Sequence, residues 1–433
     1  MNLVDGRILD AEACDTVLDE LEDRITATLE KGYLDPERVI AACGRFVSHI
    51  DEDAYLQVME ELGIEEMLGR RYLQQARLMF SEDSLRDRLH TELGTDYRSN
   101  GRFAPSGGNY EVAQEIRPIG VLLHIAAGNA DGLPVFSVLE GLLTGNVNIL
   151  KLPAAEGGLS VRLLLELIRE EPLLAEYIYV FDYSSRDVLH VRQLIASADA
   201  VVVWGGAEAV SALRTLVPAN VRLIEWGHKV SFAYVTEQGL LDMGEEALKG
   251  LASNIVMTKQ LLCSSIQGVF VDTSDMKSVY AFCRRFLPIL ENMTDAAVKE
   301  DDVGLRSQIA LRLYNEQLET MYNGGQIFRA RGCSLIAYPD SKLETSLQFS
   351  NAWVRPLPSQ NIISVLRPYK NFLQTVGLVC ADDQRKELSE KLFKTGVVRV
   401  CSGRCMSEAY NGLPHDGEFP LRRYTKIVSM QSM

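Results

Sequence analysis

The chain is poor in the features that mark several large protein classes. Nowhere do 18 uncharged apolar residues run in succession. The most apolar interval, 132–150, is broken by Glu140 and by Gly, Asn and Thr, so no membrane-spanning helix is read. Basic residues are outnumbered, 44 Lys and Arg against 59 Asp and Glu, for a formal net charge of -15. That balance argues against a general nucleic-acid binder, while leaving room for a local basic pocket. The eight cysteines, Cys14, Cys43, Cys263, Cys283, Cys333, Cys380, Cys401 and Cys405, contain no CxxC pair and are too sparse for a disulfide scaffold. Cys401 and Cys405, in CSGRC, have no paired ligands nearby, so no metal site is read. There is no GxGxxG fingerprint and no GxxxxGK phosphate loop. The first residues, MNLVDGRILDAEACD, are acidic and show no signal-peptide pattern, which together with the cysteine usage predicts a reduced, cytoplasmic setting. Internal repeats and long Pro, Gly or Ser linkers are absent as well.

What remains is an ordinary globular composition, 47% apolar and 24% charged over 433 residues, long enough for two or three domains. Residues 10–95 carry apolar residues at helical spacing with solvated acidic faces. Residues 96–117 cluster Gly, Ser, Asn and Pro and predict a protruding hairpin. From 118 the rhythm changes. Short apolar runs at 119–127, 146–152, 177–182, 198–204 and 220–226 alternate with helix-like segments at 132–143, 157–170, 185–196 and 206–216. Strands without polar alternation are buried on both faces, so a doubly wound parallel sheet of the dinucleotide-binding type is expected, with its ligand at the carboxyl ends of the strands. A second α/β region runs from about 233 to 400, with helix-like 243–257 and 276–290 and strand-like 265–272 and 361–368. The interval 292–350 is polar and gives no clear rhythm, and the tail 421–430 reads as one more strand.

Several residues sit where chemistry is expected. Gly128, Asn129, Asp131 and Gly132 follow the first parallel strand, where backbone N–H groups can meet an anion or where a tight turn is simply needed. Gly205 and Gly206 follow the fourth strand and permit close approach of a ligand or of the next helix. Lys151 ends the second strand, either as a cation for a ribose or phosphate or as plain surface. Glu225 ends the fifth strand, aimed at the crevice or paired with Lys229 or an arginine. His228 is one of six histidines, with a structural role as the alternative. Cys263, between a helix and a strand and near Lys259, is either an activated nucleophile or a buried inert thiol.

Taken in order, GVLLHIAAGN, GLLTGNVNILKLP, VVVWGG, the CSS after NIVMTKQLL, and LPHDGEFPL resemble the acyl-CoA reductase family of bacterial bioluminescence, the LuxC-like fatty acid reductases. That family belongs to the aldehyde dehydrogenase superfamily. The resemblance spans roughly 95–430 and is weakest over the N-terminal helices. It implies an aldehyde dehydrogenase-like fold with three parts. Residues 1–232 hold the N-terminal helices and a Rossmann-like cofactor domain, with the 96–117 hairpin as an oligomerisation element. Residues 233–410 form a catalytic domain, and 411–433 a tail that joins the oligomer. By the same resemblance Cys263 is the catalytic cysteine and Asn129 an oxyanion-hole donor. Glu225 matches the glutamate of an ELGGK-like segment, and Lys151 is the lysine that holds the adenosine ribose. Gly205 and Gly206 match the turn near the pyrophosphate, and His415, in LPHDG, shapes the mouth of the site. The absence of GxGxxG agrees with that superfamily.

The chemistry so implied is reduction of an acyl-CoA or acyl-protein thioester, with a long-chain fatty acyl group as the family expectation, to the aldehyde through an acyl-cysteine. The superfamily's KPxE is here KLPAAE, with Ala154 three residues after Lys151. Loss of that carboxylate removes repulsion toward a 2′-phosphate, so NADPH is the expected donor and NADH the alternative. ELGGK has become EWGHK, and the bulk of Trp226 and His228 leaves Glu225 either activating Cys263 or polarising the site. A homo-oligomer and an acyl-protein synthetase partner are implied too. Three other readings stay open: an aldehyde dehydrogenase that makes the acid, which needs Glu225 to activate water; a cysteine acyltransferase or thioesterase without hydride transfer; and a non-catalytic partner in an acyl-transfer complex.

Overall fold

The computed structural model describes residues 1–61, 66–95, 97, 101–106, 108, 110–126, 132–153, 158–297 and 303–432. The chain divides into two compact units, Met1–Gly227 with Tyr410–Met433, and His228–Ala409. The architecture is α/β in both.

The first unit is built on five parallel strands, Val121–Ile125, Val147–Lys151, Ile178–Phe181, Ala200–Trp204 and Arg222–Trp226. All but the last are almost wholly buried, which is why their sequences run apolar without alternation. Across the sheet the order is Ile178–Phe181, Val147–Lys151, Val121–Ile125, Ala200–Trp204, Arg222–Trp226. The winding therefore reverses beside Val121–Ile125, the switch point at which such sheets open a crevice. The helices Leu133–Leu143, Leu159–Glu170, Val188–Ala196 and Ala207–Leu216 supply the connections. A short N-terminal hairpin, Asn2–Val4 with Arg7–Leu9, extends the sheet antiparallel to Ile178–Phe181, an addition the sequence reading did not anticipate. The helical reading of 10–95 resolves into six helices between Ala11 and Leu93.

The 96–117 segment forms a hairpin in its described part. Gly101–Phe103 pairs antiparallel with Glu111–Pro118, which pairs in turn with Thr425–Ser432 to make a separate three-stranded sheet. The tail read as a strand from 421 begins with a short helix, Pro420–Arg423, and only then extends.

The second unit holds a seven-stranded sheet in the order Gln326–Ala330, Cys333–Ala337, Asn351–Pro356, Ile266–Val271, Val230–Val235, Leu373–Val379, Arg399–Cys401. All neighbours are parallel except the first pair. Residues 361–368, expected as a strand, are helical turns: Ser359–Asn361, Ile362–Leu366 and Arg367–Tyr369. Ile362 and Leu366, four apart, are fully buried while Ile363 is exposed, a helical period that a short apolar run hides. The parallel strands flanking this stretch are Asn351–Pro356 and Leu373–Val379. The unread interval 292–350 holds the end of the helix Met276–Ala297, the helix Val303–Asn323 and two strands. Among the described residues no helix is long and apolar enough to cross a membrane, and no group of three or more His, Cys, Asp or Glu is placed to hold a metal.

Candidate active site

In the first unit the interest lies at the carboxyl ends of the parallel strands. The helix Val188–Ala196 is capped conventionally, Asp187 accepting from the His190 N–H. The helices starting at Leu133, Leu159 and Ala207 instead have glycine at the cap, Gly132, Gly158 and Gly206, which carries no side chain to bond the first turn. Gly132 and Gly158 sit at φ 78° and 85°, a conformation that side chains disfavour. A glycine cap lets a phosphate or another anion approach a helix start closely. At Gly206 a Cβ would meet nothing within 4 Å, so the space above that helix start is open. These features fit a dinucleotide across the strand ends.

Lys151 closes its strand with a side chain that is 2% exposed. Its Nζ donates to the Leu152 carbonyl (2.8 Å) and to the Ser185 hydroxyl (2.6 Å). Burial holds its ammonium below the usual lysine value, with Asp182 acting in the other direction. The surface alternative for Lys151 is thereby excluded. Arg186, beside Ser185, is exposed.

Glu225 is engaged. Arg214 Nε and an Nη bond its two carboxylate oxygens, each at 2.5 Å. Ile224 and Trp226 are buried with Leu122, Val202 and Trp204, whereas Leu223 packs on Val210 and Leu213 of the helix Ala207–Leu216. Strand alternation places Glu225 on that helix-covered face, away from Trp226. The arginine partner, one of the alternatives open in the sequence, is the one the fold uses.

On the opposite face Trp204 and Trp226 stack with ring centroids 5.4 Å apart. His415 stands edge-on to both, at 4.8 and 5.1 Å. It is delivered there by a tight turn, His415 and Glu418 exchanging both backbone bonds (2.8 and 2.9 Å) around Asp416 and Gly417 at φ 50° and 84°. An Asp-Gly pair with positive φ at both residues is what a two-residue hairpin requires. A second histidine is enclosed in the same sheet. His124 is fully buried, its Nδ1 2.7 Å from Ser137 Oγ and its Nε2 3.0 Å from Asn148 Oδ1. Burial lowers its pKa to about 4, the Asn148 bond opposing, so it is a neutral structural group. No local pattern distinguished it from the apolar strand around it.

In the second unit Cys263 lies in the turn between the helix Glu237–Met257 and the strand Ile266–Val271. It is the one exposed cysteine of the eight. Burial raises the thiols of Cys14, Cys43, Cys283, Cys333, Cys380 and Cys401, to about 12 at Cys283 and Cys333 and about 11 at Cys401. A thiol so placed is inert at neutral pH. The Cys263 turn is pinned from below. Ser231, fully buried in the adjoining strand, donates its hydroxyl to the Cys263 carbonyl (2.7 Å) and accepts from the Thr375 N–H (3.0 Å). The Leu262 and Ser265 residues close the turn on each other, and Ser264 Oγ meets Ser407 Oγ at 2.9 Å. Ser231 was not legible as a site residue, because its role depends on a strand pairing.

His228 is exposed in the loop that opens the second unit. Gly128, Asn129, Asp131 and Ala154 lie outside the described residues.

The family model for acyl-CoA reductase (LuxC) matches residues 34–427. The chain is 29% identical over 198 residues to the long-chain acyl-protein thioester reductase of Vibrio harveyi, covering 45% of this chain and 40% of that protein. It is 28% identical over 357 residues to the protein of that name from Photobacterium phosphoreum, covering 81% and 70%. The chain thus spans well under two thirds of the first relative's length in that match and somewhat more of the second. Among solved structures, a lactaldehyde dehydrogenase superposes with a TM-score of 0.71 at 14% identity, covering all of this chain and 95% of that one, so the fold is that of the aldehyde dehydrogenases. With a family match that begins just before the helix Pro36–His49 and runs into the terminal strand, the chain belongs to the acyl-CoA reductase (LuxC) family of oxidoreductases.

Proposed function

We propose that the protein reduces a long-chain acyl thioester, acyl-CoA or acyl-protein, to the aldehyde with NADPH through an acyl group carried on Cys263. The observation that carries this reading is Cys263 itself, the one exposed thiol, in a pinned turn of a chain from this family. The Cys263 thiolate attacks the acyl carbonyl, a carbon–sulfur bond forms, and the carbonyl oxygen becomes an oxyanion. The Asn129 side chain and the Cys263 backbone N–H are its proposed donors. One such donor is worth roughly 3–4 kcal/mol of transition-state stabilisation. The oxyanion collapses and the donor's thiolate departs, leaving the acyl-cysteine. A reduced nicotinamide cofactor, held by Lys151 and the glycine turns, would supply the hydride that takes this thioester to the aldehyde. Cys263 leaves as thiolate when the aldehyde is released, ready for the next acyl group. Exclusion of water protects the intermediate from hydrolysis.

Lys151, fixed on Ser185, with Arg186 beside it and Ala154 where the superfamily carries a carboxylate, supports a cofactor bearing a 2′-phosphate. The engagement of Glu225 by Arg214 counts against the acid-producing alternative, since a general base must be free to take a proton from water. Gly128, Gly205 and Gly206 are assigned to the pyrophosphate, and His415 to the mouth of the site. His228 is assigned a place near it. Self-association through the three-stranded sheet, an acyl-protein synthetase as donor of the acyl group, and a cytoplasmic location complete the reading.

A panel of acyl-CoA thioesters with NADPH, followed by aldehyde formation, tests it. Long chains are expected to turn over, and Cys263→Ala is expected to abolish both turnover and labelling by radioactive acyl-CoA. Labelling that survives Cys263→Ala removes the central assignment. Equal turnover with NADH removes the assignment of NADPH.

A further inference from the structure

Seven described residues other than glycine have positive φ, and five of them fall in two loops of the second unit. Lys259 and Gln260 (φ 50° and 60°) open the turn that presents Cys263. Gln348, Phe349 and Ser350 (66°, 49° and 66°) follow one another just before the strand Asn351–Pro356. Side-chain-bearing residues avoid this region because Cβ crowds the carbonyl oxygen, so three in succession persist only when something holds them.

The holder is Asn351, 2% exposed. Its Nδ2 donates to the carbonyls of Gln348 (2.8 Å) and Phe349 (2.9 Å), and its backbone N–H donates to Gln348 again (3.0 Å). The orientation of the amide is set by Ser334, whose hydroxyl donates to Asn351 Oδ1 (2.7 Å). The turn so held delivers the Phe349 N–H to the Lys259 carbonyl (3.1 Å). A second stitch runs beside it. Gln267 Nε2 donates to the Gln260 carbonyl (3.0 Å), and Gln267 Oε1 accepts from the Ser346 N–H and hydroxyl (3.0 and 2.9 Å). Strain is thus concentrated where two loops dock, and one of the two carries the thiol.

We propose that Asn351 is a positioning residue for Cys263. By holding residues 348–350 left-handed it fixes the Lys259 carbonyl and the turn that follows, and so limits the positions the Cys263 thiol can take. Without Asn351 the 348–350 segment relaxes, Phe349 leaves Lys259, and the thiol spends less time in attacking geometry. The inference rests on the reading of Cys263 as nucleophile.

The test uses the full chain and iodoacetamide as the probe, with the Cys263 alkylation rate measured against pH, beside kcat and KM for a long-chain acyl-CoA with NADPH. Asn351→Ala is expected to lower the plateau alkylation rate and kcat at least tenfold, with KM for NADPH changed less than twofold. Ser334→Ala, which removes only the bond orienting the amide, is expected to give a smaller loss in the same direction. Gln348→Gly placed on Asn351→Ala is expected to recover part of the loss, because glycine takes the left-handed conformation unaided. Wild-type alkylation kinetics in folded Asn351→Ala overturn the proposal, as does a loss that follows the melting temperature with no recovery by Gln348→Gly. Should Asn351→Ala fail to fold, unchanged alkylation in Ser334→Ala overturns it. Slowed alkylation in a protein that reduces no thioester leaves the positioning role standing and removes the proposed function instead.

Discussion

At His124 the chain encloses an imidazole between Ser137 and Asn148 at the centre of a parallel sheet. Burial, partly offset by Asn148, brings its pKa from 6.5 to about 4. The folded protein therefore binds one proton fewer than the unfolded chain between about pH 6.5 and pH 4. Stability from this group is intact above pH 6.5 and is lost as pH falls through that window. The shift corresponds to about 3 kcal/mol when complete. Urea denaturation at pH 7 and pH 4.5 is expected to show a steeper loss in the wild-type protein than in His124→Gln, which carries no titratable group. Equal losses in the two would place the acid sensitivity elsewhere. At Glu225 the lesson differs. Its pair with Arg214, 64% exposed, is screened by solvent and adds little to stability. The sheet face on which it stands constrains its chemistry more than the strength of that pair does.

Elements of the first unit are fitted to one another at small residues. The helix Leu133–Leu143 lies against the strand Val147–Lys151, and at Gly141 an added Cβ would come within 1.7 Å of Asn148 Oδ1. That oxygen is the one bonded to His124, and Asn148 Nδ2 is committed to the Asn146 carbonyl (2.8 Å). Neither group can give way cheaply. Gly141→Ala is expected to cost about 1–3 kcal/mol despite the better helix propensity of alanine, read as a lower urea midpoint with unchanged m-value. A neutral or stabilising outcome would show that the helix moves off the sheet without penalty. In the second unit the left-handed turns at 259–260 and 348–350 are of the same kind, since each is held by contacts formed only on folding.

Over the whole molecule the terminal segment is tied back into the first unit. Glu92, fully buried, accepts from the Leu421 N–H (2.8 Å) and from Arg88 Nε (2.7 Å), while Arg88 Nη2 bonds the buried Glu140 (2.5 Å). A buried charge needs such partners, and removing one would strand the others. From that anchor Thr425–Ser432 runs out as an edge strand with Ile427 71% and Met430 57% exposed. An open apolar edge invites a further chain. Ile427→Asp is expected to shift the protein toward monomer in sedimentation velocity, with the melting temperature of the first unit little changed. An unaltered sedimentation coefficient would exclude this sheet as the interface.

The sequence by itself determined the strand–helix alternation from 118 to 226 and the helical N-terminal region. It also singled out Cys263 among eight cysteines and Lys151 at a strand end. These are properties of local pattern, because a buried parallel strand must be apolar throughout and a helix must repeat near every fourth residue. The resemblance of a few ordered motifs added the family. Only the tertiary structure decided that 361–368 is helical, that Glu225 belongs to Arg214, that Ser231 and Gln267 reach the loop of the thiol, and that Ser334 and Asn351 hold the 348–350 loop docked on it. Ser231 and Cys263 are 32 residues apart, and Phe349 and Lys259 are 90 apart. A hydrogen bond between such positions is set by how strands order themselves across a sheet, and no single segment of the chain carries that information.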